Sequence, residues 1–278
     1  MQTSVIAGQS RQVPLSGVDL EVWEGGKGRT VLFLHPGDGF DASAPFIAEL
    51  ASQFHVIAPS HPGFGRSSLP KSISSVDDLS YLYLDYIETQ NLDDIVLLGV
   101  SFGGWIAAEI AVKSTAHIAG VCLVDTVGAK FAGPMTSEIF DLFSVPQYEQ
   151  ARHLYHDPKL QQQTYAHLDD ATAGRMARNH ESFALYGWSP TLHSRKLASR
   201  LHRIKVPTGI IWGAEDRVVP PDYGRQWKSA IPGASMEVIE QAGHYPHIEQ
   251  LDRFVASVAR FVNSLPAAGG QLPGKGKP

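Results

Sequence analysis

Short apolar runs that end in glycine or proline turns recur along the chain, and they limit its fold more than any other feature. They read TVLFLHPG, FHVIAPSHPGFG, DIVLLGVS, IAGVCLVDTVG, PTGIIWGAED and ASMEVIEQAGH. Each is nearly continuous in apolar residues, the pattern of a parallel strand covered on both faces. Between them lie segments of helical character at 42–51, 75–90, 102–114, 221–231 and 247–264. In the last, Ile248, Leu251, Phe254, Val255, Val258, Phe261 and Val262 fall at helical spacing. The early stretch RQVPLSGVDLEVWEGG reads as an antiparallel hairpin. Strands alternating with helices predict a doubly wound, mostly parallel α/β sheet.

The alternation stops between about 129 and 203 and resumes at Val206. The intervening segment is helix-like and rich in aromatic residues, among them Phe143, Tyr165, Phe183 and Trp188, and it carries Arg152, Arg175 and Arg178. An insertion of this kind predicts a helical cap, 129–203, over the carboxyl ends of the strands, with 1–128 and 204–265 forming the core. Phe143 and Trp188 are candidates for lining a substrate pocket there. The Gly/Pro/Lys-rich tail 266–278 is expected to be disordered.

Composition narrows the function classes. The formal net charge is −5 and no long basic run exists. That points away from nucleic acid or an anionic membrane as partner and toward a small-molecule substrate. The single cysteine, Cys122, lies in an apolar run, so no intrachain disulfide is possible. No signal-peptide pattern and no run of membrane-spanning length is visible, which makes the cytoplasm the expected location. No His/Cys/Asp spacing suggests a metal site, and no cofactor is expected.

The chemistry centres on GVSFGG, where Ser101 ends a strand and opens a helix. Such a turn strains the serine backbone and requires small neighbours. It lifts the hydroxyl to the sheet's carboxyl edge and aims backbone N–H groups and a helix N-terminus at the same point. A serine hydroxyl needs a base to become a nucleophile, and the base needs an orienting group. His244, in AGHYPHIEQ after a strand, is the candidate base; His247 belongs to the helix that follows or lines the pocket. Asp216, in WGAEDRVVP, is the favoured carboxylate; Asp125, in CLVDTVG, is its rival, and Glu215 points elsewhere. In HPGDG, the N–H of Gly37 pairs with that of Phe102 as an oxyanion hole, and His35 is read as structural.

Together HPGDG, SHPGFGRSS, GVSFGG and GAEDRVVP…AGHYPHIE resemble the α/β-hydrolase superfamily, in its capped branch of esterases, lactonases and C–C bond hydrolases. The resemblance spans about residues 20–264 and implies Ser101 as nucleophile, His244 as base and Asp216 as acid. One departure is His35-Pro36, where the family more often has His-Gly; proline has no N–H, which leaves the hole to Gly37. Serine rather than aspartate at the elbow sets aside epoxide hydrolases and haloalkane dehalogenases. The expected activity is hydrolysis of a small, partly hydrophobic ester, lactone or activated C–C substrate through an acyl-enzyme. Two alternatives stand beside it: a cofactor-independent dioxygenase or lyase using His244 as base, and a non-enzymatic receptor on the same fold.

Overall fold

The computed structural model describes residues 8–133, 135–162 and 168–266. Tyr165 and the tail from residue 267 onward lie outside them. Strands β1 (Gln9–Leu15) and β2 (Val18–Gly25) form the expected hairpin. Then follow β3 (Thr30–Leu34), α1 (Ala44–Ala51), β4 (His55–Pro59), α2 (Val76–Thr89), β5 (Ile95–Val100), α3 (Phe102–Lys113) and β6 (Ile118–Val124). The inserted segment holds the short β7 (Gly128–Ala129), α4 (Gln147–Leu154), α5 (Asp170–Gly187) and the short β8 (His193–Ser194). The core resumes with β9 (Thr208–Gly213), α6 (Pro221–Ala230), β10 (Ser235–Ile239), α7 (Pro246–Glu249) and α8 (Leu251–Ser264).

The main sheet runs β1-β2-β4-β3-β5-β6-β9-β10. β2 is antiparallel to β1 and β4, and the remaining pairs are parallel. Every residue of β5 and β9 is buried, as continuous apolar runs require when helices cover both faces. Because β3, β5, β6, β9 and β10 run the same way, the turns after them all open on one edge. Those turns carry His35, Ser101, Asp125, Asp216 and His244.

The helix expected over 247–264 is two helices. Gln250 leaves helical geometry (φ −130, ψ 52) between α7 and α8. The break coincides with the carboxylate of Glu249 reaching back to the N–H of Gly243. The helical spacing of the apolar residues continues across the break, so periodicity alone does not reveal it.

The insertion leaves and re-enters the core side by side, because β7 pairs with β8, Gly128 facing His193 and Ala129 facing Ser194. The following 3-10 helix, Ala198–Arg203, packs on α3 and α6, and the Arg203 guanidinium donates to the carbonyl of Val112 at 2.8 Å. Within the insertion, α5 turns Asn179, Ser182, Phe183 and Tyr186 inward. These residues sit at i, i+3, i+4 and i+7, one face of a helix. Asn179 donates to the carbonyl of Asp38 (3.0 Å), Ser182 to that of Gly63 (2.8 Å) and Tyr186 to that of Pro62 (3.0 Å). The helix is thereby bolted over the loops that follow β3 and β4.

Candidate active site

Ser101 occupies a backbone conformation with φ 51 and ψ −110, in the left-handed half of the map that a residue with a Cβ normally avoids. The turn is this tight because its neighbours are glycines. A Cβ on Gly99 would lie 2.4 Å from the carbonyl oxygen of Gly103, and one on Gly103 would lie 2.0 Å from that of Leu34. The second contact also sets the start of α3 against the end of β3, where the HPGDG loop begins. The N–H of Phe102 is at the first position of α3, where no carbonyl of its own helix can accept it.

The three residues singled out as a relay meet. His244 Nε2 lies 2.7 Å from Ser101 Oγ, and His244 Nδ1 lies 2.8 Å from Asp216 Oδ2. All three are buried, Ser101 at 3% and His244 at 0% exposure. The other oxygen of Asp216, Oδ1, accepts the N–H groups of Val218 (2.7 Å) and Val219 (3.0 Å). A carboxylate so held keeps its aim toward His244. Glu215 is turned away and accepts the N–H of Ala242 at 3.0 Å.

Asp125 stands behind Asp216 rather than beside His244 in the hydrogen-bond chain. Its Oδ1 accepts the N–H of Gly213 at 2.8 Å, and its buried Oδ2 has no other donor to accept from. Burial, and then the neighbouring charge of Asp216, push its pKa well above the usual carboxylate range. Two buried carboxylates this close do not both ionise, so Asp125 keeps its proton and directs it at Asp216. Asp125, Asp216 and His244 are also, among the described residues, the one group of side chains with metal-ligand character, their donor atoms within 4.8 Å of one another. The His244–Asp216 hydrogen bond and the shared proton account for that clustering by themselves.

The HPGDG loop is held from below by two buried histidines. His35 Nδ1 lies 2.7 Å from the carbonyl of Pro36, and its Nε2 accepts the N–H of His61 at 3.0 Å. That acceptance requires a neutral ring, and burial lowers the His35 pKa to about 4. His61 stacks on it at 3.7 Å between centroids, bonds Tyr83, and also has its pKa lowered well below the ordinary value, by burial first and then by His35. From above, Phe183 of α5 covers Gly37: a Cβ there would lie 2.7 Å from its ring. Phe183 also meets Phe102 edge-on at 5.4 Å.

Phe143 and Trp188 are near each other (5.5 Å), and Phe143 is 5.1 Å from Phe183. Phe183 is thus the cap ring against the proposed hole, Phe143 lies behind it, and Trp188 sits at the end of α5 with 62% of its surface exposed. His247 is in α7 and packs among Phe46, Tyr245 and Phe254, with its Nε2 3.2 Å from Ser43 Oγ.

Two further acidic residues shape the site. Glu249 accepts the N–H groups of His156 and Asp157 (both 2.8 Å) through Oε1 and that of Gly243 (2.6 Å) through Oε2, joining the His244 loop to the segment after α4. His244 N–H itself donates to the carbonyl of Leu154 at 2.8 Å. Asp38, inside HPGDG, is exposed while Gly37, Gly39, His244 and Tyr245 around it are buried. Its carboxylate accepts from the Tyr245 hydroxyl and lies within electrostatic range of His244 and His180. Among the described residues no helix is long and apolar enough to cross a membrane.

Comparison with known proteins agrees with this architecture. A model of the alpha/beta hydrolase family matches residues 31–257. The chain is 27% identical over 263 residues to the 2-hydroxy-6-oxo-6-phenylhexa-2,4-dienoate hydrolase of Burkholderia cepacia, covering 86% of this chain and 90% of that protein. It is 26% identical over 253 residues to lipase 1 of Psychrobacter immobilis, covering 86% and 78% respectively. Among solved structures, a meta-cleavage product hydrolase of Pseudomonas fluorescens superposes with a TM-score of 0.74 at 24% identity, over 94% of this chain and 99% of that one.

Proposed function

The chain belongs to the alpha/beta hydrolase family, and from that premise we propose that it is a serine hydrolase acting on a small, partly hydrophobic ester or lactone through an acyl-enzyme. The observation that carries this reading is the continuous chain Ser101 Oγ–His244–Asp216, with links of 2.7 and 2.8 Å. His244 Nε2 takes the Ser101 proton as Oγ bonds to the substrate carbonyl carbon. The carbonyl oxygen becomes an oxyanion facing the N–H groups of Gly37 and Phe102. Collapse breaks the bond to the leaving group, which receives the proton from His244. Water then gives a proton to His244 and its oxygen to the acyl carbon; the proton returns to Ser101 as the acid departs. Asp216 orients the imidazole and stabilises its cationic form throughout.

Cleavage of an activated C–C bond is the second reading, and the dienoate hydrolase among the relatives favours it. The same relay serves it, with a carbanion-stabilised fragment as leaving group. A neutral alkylphosphonate bearing p-nitrophenol tests the shared core of both. Mass spectrometry is expected to find one adduct, on Ser101, and Ser101→Ala is expected to abolish it and lower kcat by several orders of magnitude. An unlabelled Ser101, or turnover with oxygen uptake that survives Ser101→Ala, overturns the reading in favour of base catalysis by His244 alone.

A further inference from the structure

Asp38 is the one carboxylate in the HPGDG loop, and the chemistry just described does not use it. The loop is built to hold it. The His35–His61 pair fixes the loop from below, and Asn179 clamps it from the cap by donating to the Asp38 carbonyl and accepting the N–H of Gly65 at 3.0 Å. Asp38 is exposed although its neighbours are not, it directly follows Gly37 of the proposed hole, and it lies within electrostatic range of His244. Tyr245, adjacent to the base in sequence, donates to it. A carboxylate has about four acceptor sites, and one hydroxyl leaves most of them for water or a ligand.

Its placement has an electrostatic consequence. A negative charge near the oxyanion opposes the charge that develops there, and in a partly desolvated site that opposition is strong. A ligand donor beside Asp38 removes the difficulty; a ligand carboxylate adds to it. The cap arginines do not offset the charge. Arg175 pairs with Asp41 at 2.7 Å and borders an outer cleft with Glu21 and Trp23. Arg178 donates to the carbonyls of Gly63 (2.8 Å) and Ser67 and borders an outer groove with Leu69 and Leu185. Arg152 is exposed.

We propose that Asp38 and Tyr245 form a specificity subsite beside the nucleophile that accepts a hydrogen-bond donor of the substrate, an ammonium or hydroxyl group, and rejects substrates with a carboxylate at that place. This rests on the serine-hydrolase reading and sets ammonium- or hydroxyl-bearing esters ahead of dienoate-like carboxylates.

The probes are p-nitrophenyl alkylphosphonates of matched chain lengths ending in methyl, ammonium or carboxylate, with the rate of Ser101 modification as readout. Reaction with the methyl probe tests the hydrolase reading alone. In the wild-type protein the ammonium probe is expected to outpace the carboxylate probe by roughly ten- to a hundredfold, the range for a hydrogen bond to a charged group. Asp38→Asn, which keeps shape and loses charge, is expected to bring that ratio to about one while the methyl probe still reacts; Asp38→Ser serves the same end if the amide disturbs the loop. A wild-type ratio near one, or preference for the carboxylate probe, overturns the proposal while leaving the hydrolase reading intact, as does a ratio unchanged in the variants. No reaction with the methyl probe overturns the hydrolase reading instead.

Discussion

At the carboxyl edge of the sheet, Asp216 accepts three hydrogen bonds, from Val218, Val219 and His244. In the cap above it, Phe143 and Trp188 are held through ring contacts with each other, Phe183 and His180. The edge is polar, buried and over-determined. The cap contributes hydrogen bonds along one face of α5 and from the residues at the end of α4, and its other contacts to the site are apolar rings. Fixed hydrogen-bond geometry suits a proton relay, in which a shift of an ångström removes much of the rate. Apolar contact suits a pocket wall, where volume matters more than angle. Under the proposed function the two regions divide the work, with the edge setting the reaction and the cap setting which substrate fits.

The strongest test of that division lies between the two aspartates at the edge. Asp216→Asn removes the charge that orients His244, and kcat is expected to fall by roughly 10³–10⁴. Asp125→Asn retains an acceptor for the N–H of Gly213 and presents an amide N–H to Asp216 in place of the acid proton. Its kcat is expected to stay within about tenfold of wild type. Steady-state kinetics on one ester in two stably folded variants decides the matter. A greater loss in Asp125→Asn reverses the order of the two carboxylates.

Acid is expected to separate the regions next, through stability. His35 and His247 are neutral in the fold, with pKa values lowered by burial to about 4 and about 3; that of His61 is likewise lowered well below its normal range. In the unfolded chain each protonates near pH 6.5. Below that pH the unfolded state binds more protons, so stability falls as pH falls. For His35 the loss grows down to about pH 4 and reaches about 3 kcal/mol at 1.36 kcal/mol per pH unit. Asp125, with its pKa well above the usual carboxylate range, retains in the fold a proton that the unfolded chain has released, and it offsets part of this. The net expectation is a melting temperature that drops steadily from pH 7 to pH 5, with a shallower drop in His247→Gln. A melting temperature flat across that range removes the argument that these rings are held neutral.

The parts of this structure that were legible in the sequence are those whose signal is local. Ser101 and Asp216 each lie in a turn just past a buried strand and His244 in one past the partly exposed edge strand β10, and strand plus turn is readable within about ten residues. Asp38 was visible only as a member of a glycine turn, because its partner Tyr245 is far along the chain. Glu249 looked like an ordinary helix residue, because the N–H groups it binds belong to His156, Asp157 and Gly243. The break at Gln250 was hidden for the same reason. Within the cap, helical spacing places Asn179, Ser182, Phe183 and Tyr186 on one face, the inward face of α5, whereas Trp188, two residues on, falls on the other side.

That helical face leads to the smallest and most discriminating prediction. Phe183 touches Gly37 and Phe102, Phe143 supports it from behind, and Trp188 is largely exposed. If the cap sets fit and the edge sets chemistry, the effect of removing a cap ring should follow its depth. Phe183→Ala removes a buried ring from the wall over the proposed oxyanion hole and is expected to shift relative kcat/KM between short and long acyl chains by roughly ten- to a hundredfold. Phe143→Ala frees Phe183 to move and is expected to give a smaller shift in the same direction, on the order of fivefold. Trp188→Ala removes a ring with most of its surface already in water, and selectivity is expected to change less than about twofold. In all three, modification of Ser101 by a small methyl phosphonate should proceed at close to the wild-type rate, because none of these rings hydrogen-bonds the relay. A loss of labelling in Phe183→Ala would mean that the cap holds Gly37 in place as well as shaping the pocket. A selectivity change in Trp188→Ala as large as that in Phe183→Ala would break the link between depth and effect on which the comparison rests.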